Sequence, residues 1–279
     1  MVSKNKPIKK ILTYLVIVCS LILFIFPIYW MFIASLKENN VLMRVPPQLY
    51  PTFKTFANYI SIITNVKYLN YIKNSLIVAS MTVIADLVLA TFAGYSLSRF
   101  RYPGRKTIMT LTLSAQVFPT VVIIISLYSL FSKLKLMNSY LGLMLADVAM
   151  SLPLSVWMMK SFCDSVPGSL DEAARVDGCS RFATMTRIVV PLMKPGMLAV
   201  GIYAFLQSWD DYMISLVVMS KTAMKTLPVG IAETFMGEFG FDYAGMMTIS
   251  VVASLPVLLL FLFFNKYMVA GLTGGAVKG

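Results

Sequence analysis

Apolar residues run through this chain in long blocks separated by mostly short polar breaks. Spanning a hydrocarbon layer of roughly 30 Å takes about 20 helical residues, and the blocks meet that length. They predict about six membrane-crossing helices, over Ile11–Ser35, Tyr71–Leu97, Ile108–Phe131, Tyr140–Phe162, Gly196–Met219 and Met247–Met268. Helix is required because the bilayer interior offers backbone groups no hydrogen-bond partners. The fifth block is interrupted by Trp209, Asp210, Asp211 and Tyr212. The first follows Lys4, Lys6, Lys9 and Lys10, as in a signal peptide. Its length and the lack of a small-residue cleavage site favour an uncleaved anchor.

Composition sharpens this into a membrane protein. With 58% apolar and 13% charged residues among 279, and a mean hydropathy of +0.78, the chain is too apolar to cover a soluble surface. No stretch has the size and polarity of a soluble domain, so a single transmembrane domain over residues 1–279, with an N-terminal tail over 1–10, is expected. The formal charge of +12 does not point to nucleic acid, because the basic residues sit between apolar blocks rather than on one polar face. They report topology instead. Placing both termini in the cytoplasm puts most of the Lys and Arg inside, including Arg99–Lys106 and Lys160–Lys194. Lys37–Asn70 and Ser220–Gly245 then lie outside. Cys19, Cys163 and Cys179 show neither a pairing pattern nor metal-ligand spacing.

Chemistry of the catalytic kind finds no support. The chain has no His, no G-x-x-x-x-G-K-[ST] phosphate loop and no carboxylate cluster with metal-ligand spacing. Asp86 and Asp147 fall inside predicted spans, where an ionised carboxylate costs roughly 2.5–3.5 kcal/mol, so both should face protein or water. A proton-coupling role is the alternative for them. Trp209, Asp210, Asp211 and Tyr212 combine aromatic faces with carboxylates, a set suited to C–H groups and hydroxyls of a polyhydroxylated solute. Helix anchoring at the headgroup level is the plainer reading of the same residues.

The most informative polar stretch is 164–195. Ser169 and Glu172 have the S-x-x-E spacing of a capping box, Asp171 and Glu172 sit at the favourable end of the helix dipole, and Gly178 can end the helix in a left-handed conformation. Ser180 can cap a second helix over Arg181–Val189, before Pro191 and Pro195. A helix–turn–helix outside the bilayer is predicted. A helix of about eight residues is marginal in water, and Leu170, Ala173 and Ala174 offer it little apolar surface. A groove on another protein would hold it.

Glu172-Ala173-Ala174, Asp177-Gly178 and Ile188-Val189-Val190-Pro191-Leu192 resemble the EAA loop of ATP-binding-cassette importer permeases. Asn58-Tyr59, Asn74-Ser75, Pro119 with Leu127-Tyr128, Pro153 before Trp157, and Trp209-Asp210-Asp211-Tyr212 are similar to the MalG-like carbohydrate-uptake branch, as is the tail Gly271–Gly279. The departures are mild: Cys179 where Ala is common, Asp210 where Asn is common, and Gly274 where Ala is common. The resemblance implies an all-α, type I importer permease fold, with the EAA loop between the fourth and fifth spans. It implies a transport subunit that moves a sugar or oligosaccharide by alternating access and binds no cofactor itself, ATP and Mg being used by the partner ATPase. Its expected partners are an ABC ATPase dimer, a second homologous permease, an extracytoplasmic sugar-binding protein and membrane lipid. Its expected place is a bacterial or archaeal plasma membrane, and no nucleic acid is involved. Leu170, Glu172, Ala173, Ala174, Asp177, Gly178 and Pro191 become the ATPase-coupling residues, and Trp209–Tyr212 a substrate path. Phe235, Phe239 and Phe241 become a contact loop for the binding protein. An importer permease for a polyamine or phosphonate, or an ion-coupled secondary transporter using Asp86 or Asp147, are the alternatives.

Overall fold

The computed structural model describes residues 6–50, 55–235 and 242–274, with side chains between residues 9 and 264 of those stretches. In chain order the helices are α1 (Lys6–Ser35), α2 (Asn39–Leu42), α3 (Ala57–Thr64), α4 (Val66–Arg99), α5 (Arg105–Ser114), α6 (Thr120–Lys133) and α7 (Tyr140–Ser165). They continue with α8 (Ser169–Val176), α9 (Arg181–Thr184), α10 (Val190–Leu192), α11 (Lys194–Trp209), α12 (Met213–Val218), α13 (Leu227–Phe235) and α14 (Tyr243–Gly274). A 3₁₀ turn over Ala115–Val117 follows α5, and Met185–Val189 is π-helical. No strand occurs among the described residues.

Lys9–Ser35, Val66–Arg99, Tyr140–Ser165 and Tyr243–Phe264 are each long and apolar enough to cross a membrane. Two bent pairs meet the same criterion jointly: Arg105–Val117 with α6, bent by 98°, and Arg181–Leu192 with α11, bent by 79°. The expected straight span Ile108–Phe131 is therefore broken. Proline has no N–H to continue a helix and pushes its predecessor out of the helical region. Phe118 accordingly takes an extended ψ of 130°, and Pro119 begins the next helix from its N-cap. At the second bend Pro195 occupies the first turn of α11, where its missing N–H costs nothing. The expected fifth span also divides, into α11 and α12. Asp211 terminates the break by accepting from the backbone N–H groups of Ile214 (3.2 Å) and Ser215 (2.7 Å) at the start of α12.

Two compact units are distinguished, Met1–Val66 with Ile231–Leu255, and Lys67–Gly230 with Pro256–Gly279. In the first, α1 leaves its apolar side chains bare, Leu23 at 70% and Phe24 at 73% exposed. A bare apolar surface of this kind marks a helix that faces lipid or a partner chain, and its length and composition are those of a membrane span. Past the end of α1, Tyr59 Oη and Ser35 Oγ are hydrogen-bonded at 2.7 Å, and Asn58 Nδ2 donates to the Lys37 carbonyl at 3.3 Å. The Asn58-Tyr59 pair thus anchors the segment after α1. Lys37 is buried, donates to the Gln48 carbonyl and lies over the Trp30 ring at 5.2 Å. Burial pushes its pKa down.

In the second unit α7 is the central helix. One apolar cluster joins Ala90 and Tyr95 of α4 to Val156, Met159 and Cys163 of α7, Val189, Met193, and Val200 of α11. Another joins Val78, Phe131, Leu143, Ala146 and Ile214. Helices α4 and α7 approach so closely at Gly94 that an added Cβ would lie 2.8 Å from the Lys160 backbone nitrogen. Polar side chains tie the bundle together, since hydroxyls and amides inside a membrane seek partners on neighbouring helices. Asp86 of α4 accepts from Ser151 of α7 at 3.1 Å and from Ser155. Asp147 of α7 accepts from Ser208 of α11 at 2.5 Å. Asn74 donates to the carbonyls of Ala223 and Lys225, both at 2.9 Å, and Ser75 accepts from the Leu227 N–H at 2.8 Å. Asn74-Ser75 thereby pins the segment before α13.

Candidate functional site

Residues 164–195 form the helix–turn–helix, with one correction at its start. Ser169 does not cap α8. Gly168 holds the N-cap position, with the Asp171 and Glu172 N–H groups donating to its carbonyl at 3.0 and 3.3 Å. Pro167 and Gly168 begin the turn one residue early, so Ser169 is already helical and cannot close a capping box. Asp171 and Glu172 remain in the first turn, at the positive end of the dipole. The other end follows the expected chemistry. Gly178 has φ +79°, its N–H donates to the Arg175 carbonyl at 3.1 Å, and Cys179 N–H donates to Ala174 at 2.9 Å. This pair of bonds is a Schellman motif. Ser180 then caps α9 by accepting from the Ala183 N–H at 3.2 Å. The π-helical stretch precedes Pro191, whose ring disfavours an ordinary fourth-residue pairing with the Arg187 carbonyl.

Helix α8 has two faces. Asp171 and Ala174 are buried, whereas Glu172, Ala173, Val176 and Asp177 are exposed and Leu170 is 36% exposed. The buried face is fastened to the end of α4: Arg99 Nε lies 3.0 Å from Asp171 Oδ2, and Tyr95 Oη donates to Asp171 Oδ1 at 3.0 Å. Arg99 also donates to the Val166 carbonyl at 2.7 Å. A cavity of about 310 Å³ opens here, lined by Arg99, Arg101, Asp171, Glu172, Arg175 and Arg181 among others. Leu170, Ala173 and Val176 repeat at three-residue spacing beside Glu172, a short apolar strip with a carboxylate at its edge.

A second cavity, of about 540 Å³, lies among the 3₁₀ turn Ala115–Val117, α6, α7, α11 and α12. Asp210, Asp211 and Tyr212 line it, together with Gln116, Asp147 and Gln207. Trp209 does not. It is buried and stacks on Phe205 of the same helix at 5.4 Å between ring centroids. Gln116 and Gln207 were not picked out in the sequence, although amides in apolar runs are a signal of the same kind as Asp147. Amides, carboxylates and a phenol give this cavity donors and acceptors suited to hydroxyl groups. Asp86 and Asp147 are both buried with hydroxyl donors; Asp86 is held by α7, whereas Asp147 also borders the cavity.

Phe235, expected as an exposed contact, is buried, with its ring against Gly245. Phe239 and Phe241 lie outside the described residues, as does the end of the tail Gly271–Gly279. No group of three or more metal-ligating side chains occurs among the described residues.

The described residues thus form apolar helices long enough to span a membrane, broken beside a polar cavity and carrying a helix–turn–helix with one face exposed. Residues 86–274 match the family described as the binding-protein-dependent transport system inner membrane component. The chain is 34% identical over 275 residues to the sulfoquinovosyl glycerol transport system permease protein SmoH of Agrobacterium fabrum, covering 99% of this chain and 95% of that one. It is 32% identical over 279 residues to the trehalose/maltose transport system permease protein MalG of Thermococcus litoralis, covering 99% of each. The diacetylchitobiose uptake system permease protein DasC of Streptomyces coelicolor is 32% identical over 265 residues, covering 94% of this chain and 96% of that one. A crystal structure of a bacterial ABC transporter involved in the import of the acidic polysaccharide alginate superposes with a TM-score of 0.83 over 96% of this chain and 99% of that one, at 18% identity. The chain therefore belongs to the binding-protein-dependent transport system inner membrane component family. It is a membrane-embedded permease subunit of an importer, and its part in the process is permeation rather than catalysis.

Proposed function

We propose that the chain is one permease subunit, a single domain over residues 1–279, of an ATP-driven importer for a sugar or oligosaccharide. The observation that carries this reading is the two-faced α8, tied to α4 through Asp171 and presenting Leu170, Glu172, Ala173 and Val176 outward. Such a helix has the form of one that seats in a groove on another protein. On this reading the groove belongs to an ATPase dimer, which uses ATP and Mg, and Glu172 meets a basic residue there. Gly178 and Pro191 set the turn and exit of the loop. A second, homologous permease completes the pathway, and the cavity with Asp210, Asp211 and Tyr212 forms part of it. The relatives named for sulfoquinovosyl glycerol, trehalose/maltose and diacetylchitobiose support a carbohydrate substrate. So do the amides and carboxylates of the cavity. Ligands shift a two-state transporter only through unequal affinity for its states, and ATP and a loaded binding protein would be those ligands.

The direct test is uptake of labelled sugar by proteoliposomes holding the co-purified complex and its binding protein. Uptake is expected only with ATP, and uptake indifferent to ATP would refute the reading.

Both termini, Arg99–Lys106 and the loop 164–195 lie in the cytoplasm on this reading, with Lys37–Asn70 outside. With the native cysteines removed, a cysteine replacing Thr55 is expected to react with an impermeant maleimide in intact cells, and one replacing Lys278 only after permeabilisation. The reverse pattern would overturn the topology.

The binding protein is expected to meet the loop through Phe239 and Phe241. The double substitution Phe239→Ser/Phe241→Ser should lower stimulation of ATP hydrolysis by the loaded binding protein on the order of tenfold, the scale of losing aromatic contact residues. Wild-type stimulation would remove these two residues from the contact.

A further inference from the structure

Asp171 stands beside the residues to which the coupling role has been given, yet its side chain points the other way. It is buried, and its two carboxylate oxygens are taken by different partners on α4: Oδ1 by the Tyr95 hydroxyl and Oδ2 by the Arg99 guanidinium, both at 3.0 Å. Arg99 is fixed in turn by its bond to the Val166 carbonyl at the start of the loop. The residue before Arg99 on α4, Ser98, donates to Asp164 Oδ1 at 2.6 Å, and Asp164 pairs with Lys160 at 2.5 Å. The last turn of α4 is therefore bound both to the end of α7 and to the first turn of α8. The same α4 approaches α7 backbone-to-backbone at Gly94 and carries Asp86, which is held by two α7 hydroxyls.

We infer that Asp171 is a positioning residue that latches α8 to α4 through Tyr95 and Arg99, so that a displacement of α8 is delivered to the membrane helices as a rigid movement. The inference rests on α8 being the ATPase-coupling helix. An ion pair shielded from water holds its geometry better than an exposed one, and removing one partner leaves the other buried without compensation. Leucine or alanine contacts alone would let so short a helix roll in place; a carboxylate held by a hydroxyl on one oxygen and an ion pair on the other fixes its rotation as well as its distance.

The test uses the complete transporter in proteoliposomes with its binding protein, and reads sugar imported per ATP hydrolysed. A role confined to folding lowers the amount of assembled complex but leaves that ratio alone. Asp171→Asn keeps the shape and removes the charge, and it is expected to lower the ratio about tenfold, within the range of allosteric coupling factors. The exchange Arg99→Asp/Asp171→Arg restores an ion pair in reverse, and its ratio should return to within about threefold of wild type. A wild-type ratio for Asp171→Asn, or an exchange variant no better than Asp171→Asn, would overturn the latch. Should Asp171→Asn not assemble, Tyr95→Phe deletes one hydroxyl from the same carboxylate. That variant is expected to lower the ratio about twofold or more, less than the full worth of one hydrogen bond to a charged group because the Arg99 pair remains, and an unchanged ratio counts against the latch. Glu172→Lys is measured in parallel. If it uncouples while Asp171→Asn does not, the latch alone fails; if neither does, the coupling reading of α8 fails first.

Discussion

Glu172→Lys is expected to abolish binding-protein-stimulated ATP hydrolysis and sugar uptake while the permease still reaches the membrane. Glu172 is exposed in the first turn of α8, where its carboxylate favours the helix dipole and projects beside Leu170, Ala173 and Val176. Replacement by Lys places a cation at the positive end of the helix and opposes the basic residue expected in the partner's groove. Like-charge juxtaposition at an interface costs several kcal/mol, so stimulated hydrolysis should fall by about a hundredfold or more. Glu172→Gln keeps a polar side chain of the same size and loses only the charge, and a fall of about two- to fivefold is the expectation. The two variants are compared by stimulated hydrolysis at equal amounts of co-purified complex. Equal, wild-type activity of both would remove Glu172 from the coupling contact.

Gly94→Val should severely damage the packing of α4 on α7. A Cβ at this position meets the Lys160 nitrogen at 2.8 Å and the Met159 carbonyl carbon at 3.0 Å, both backbone atoms that cannot rotate away. The helices must separate, and the apolar cluster containing Tyr95, Met159 and Cys163 opens with them. Overpacking of this kind costs about 3 kcal/mol, and the branched side chain adds to it. Little monodisperse permease is expected from detergent extracts by size-exclusion chromatography, with Gly94→Ala intermediate. A Gly94→Val chain that purified and melted like wild type would show that α4 and α7 are not in backbone contact here.

The apolar blocks announced the membrane helices because length and hydropathy suffice to identify a span. The turn of the loop was equally readable, since Gly178 and Ser180 act through their own local backbone chemistry. Much of what escaped depended on contacts distant in sequence. Phe235 and Trp209 are buried, and nothing in their residue type separates a packed ring from a docking one. Asp171 reads as a helix-dipole carboxylate until Tyr95, 76 residues away, is brought against it. Ser169 had the right residue type one position too late, because Pro167 and Gly168 start the helical turn before it. Gln116 and Gln207 join Asp210 around one cavity only once α5 and α6 are bent at Pro119.

The central claim concerns what drives transport, and the inhibitor profile of uptake tests it most directly. The complex co-purified with this chain is reconstituted with its binding protein and internal ATP, and labelled sugar uptake is followed with vanadate or with a protonophore. Uptake that vanadate stops and the protonophore leaves intact is the predicted result. Uptake that collapses with the protonophore and ignores vanadate would contradict the account and return Asp86 and Asp147 to the centre of the mechanism.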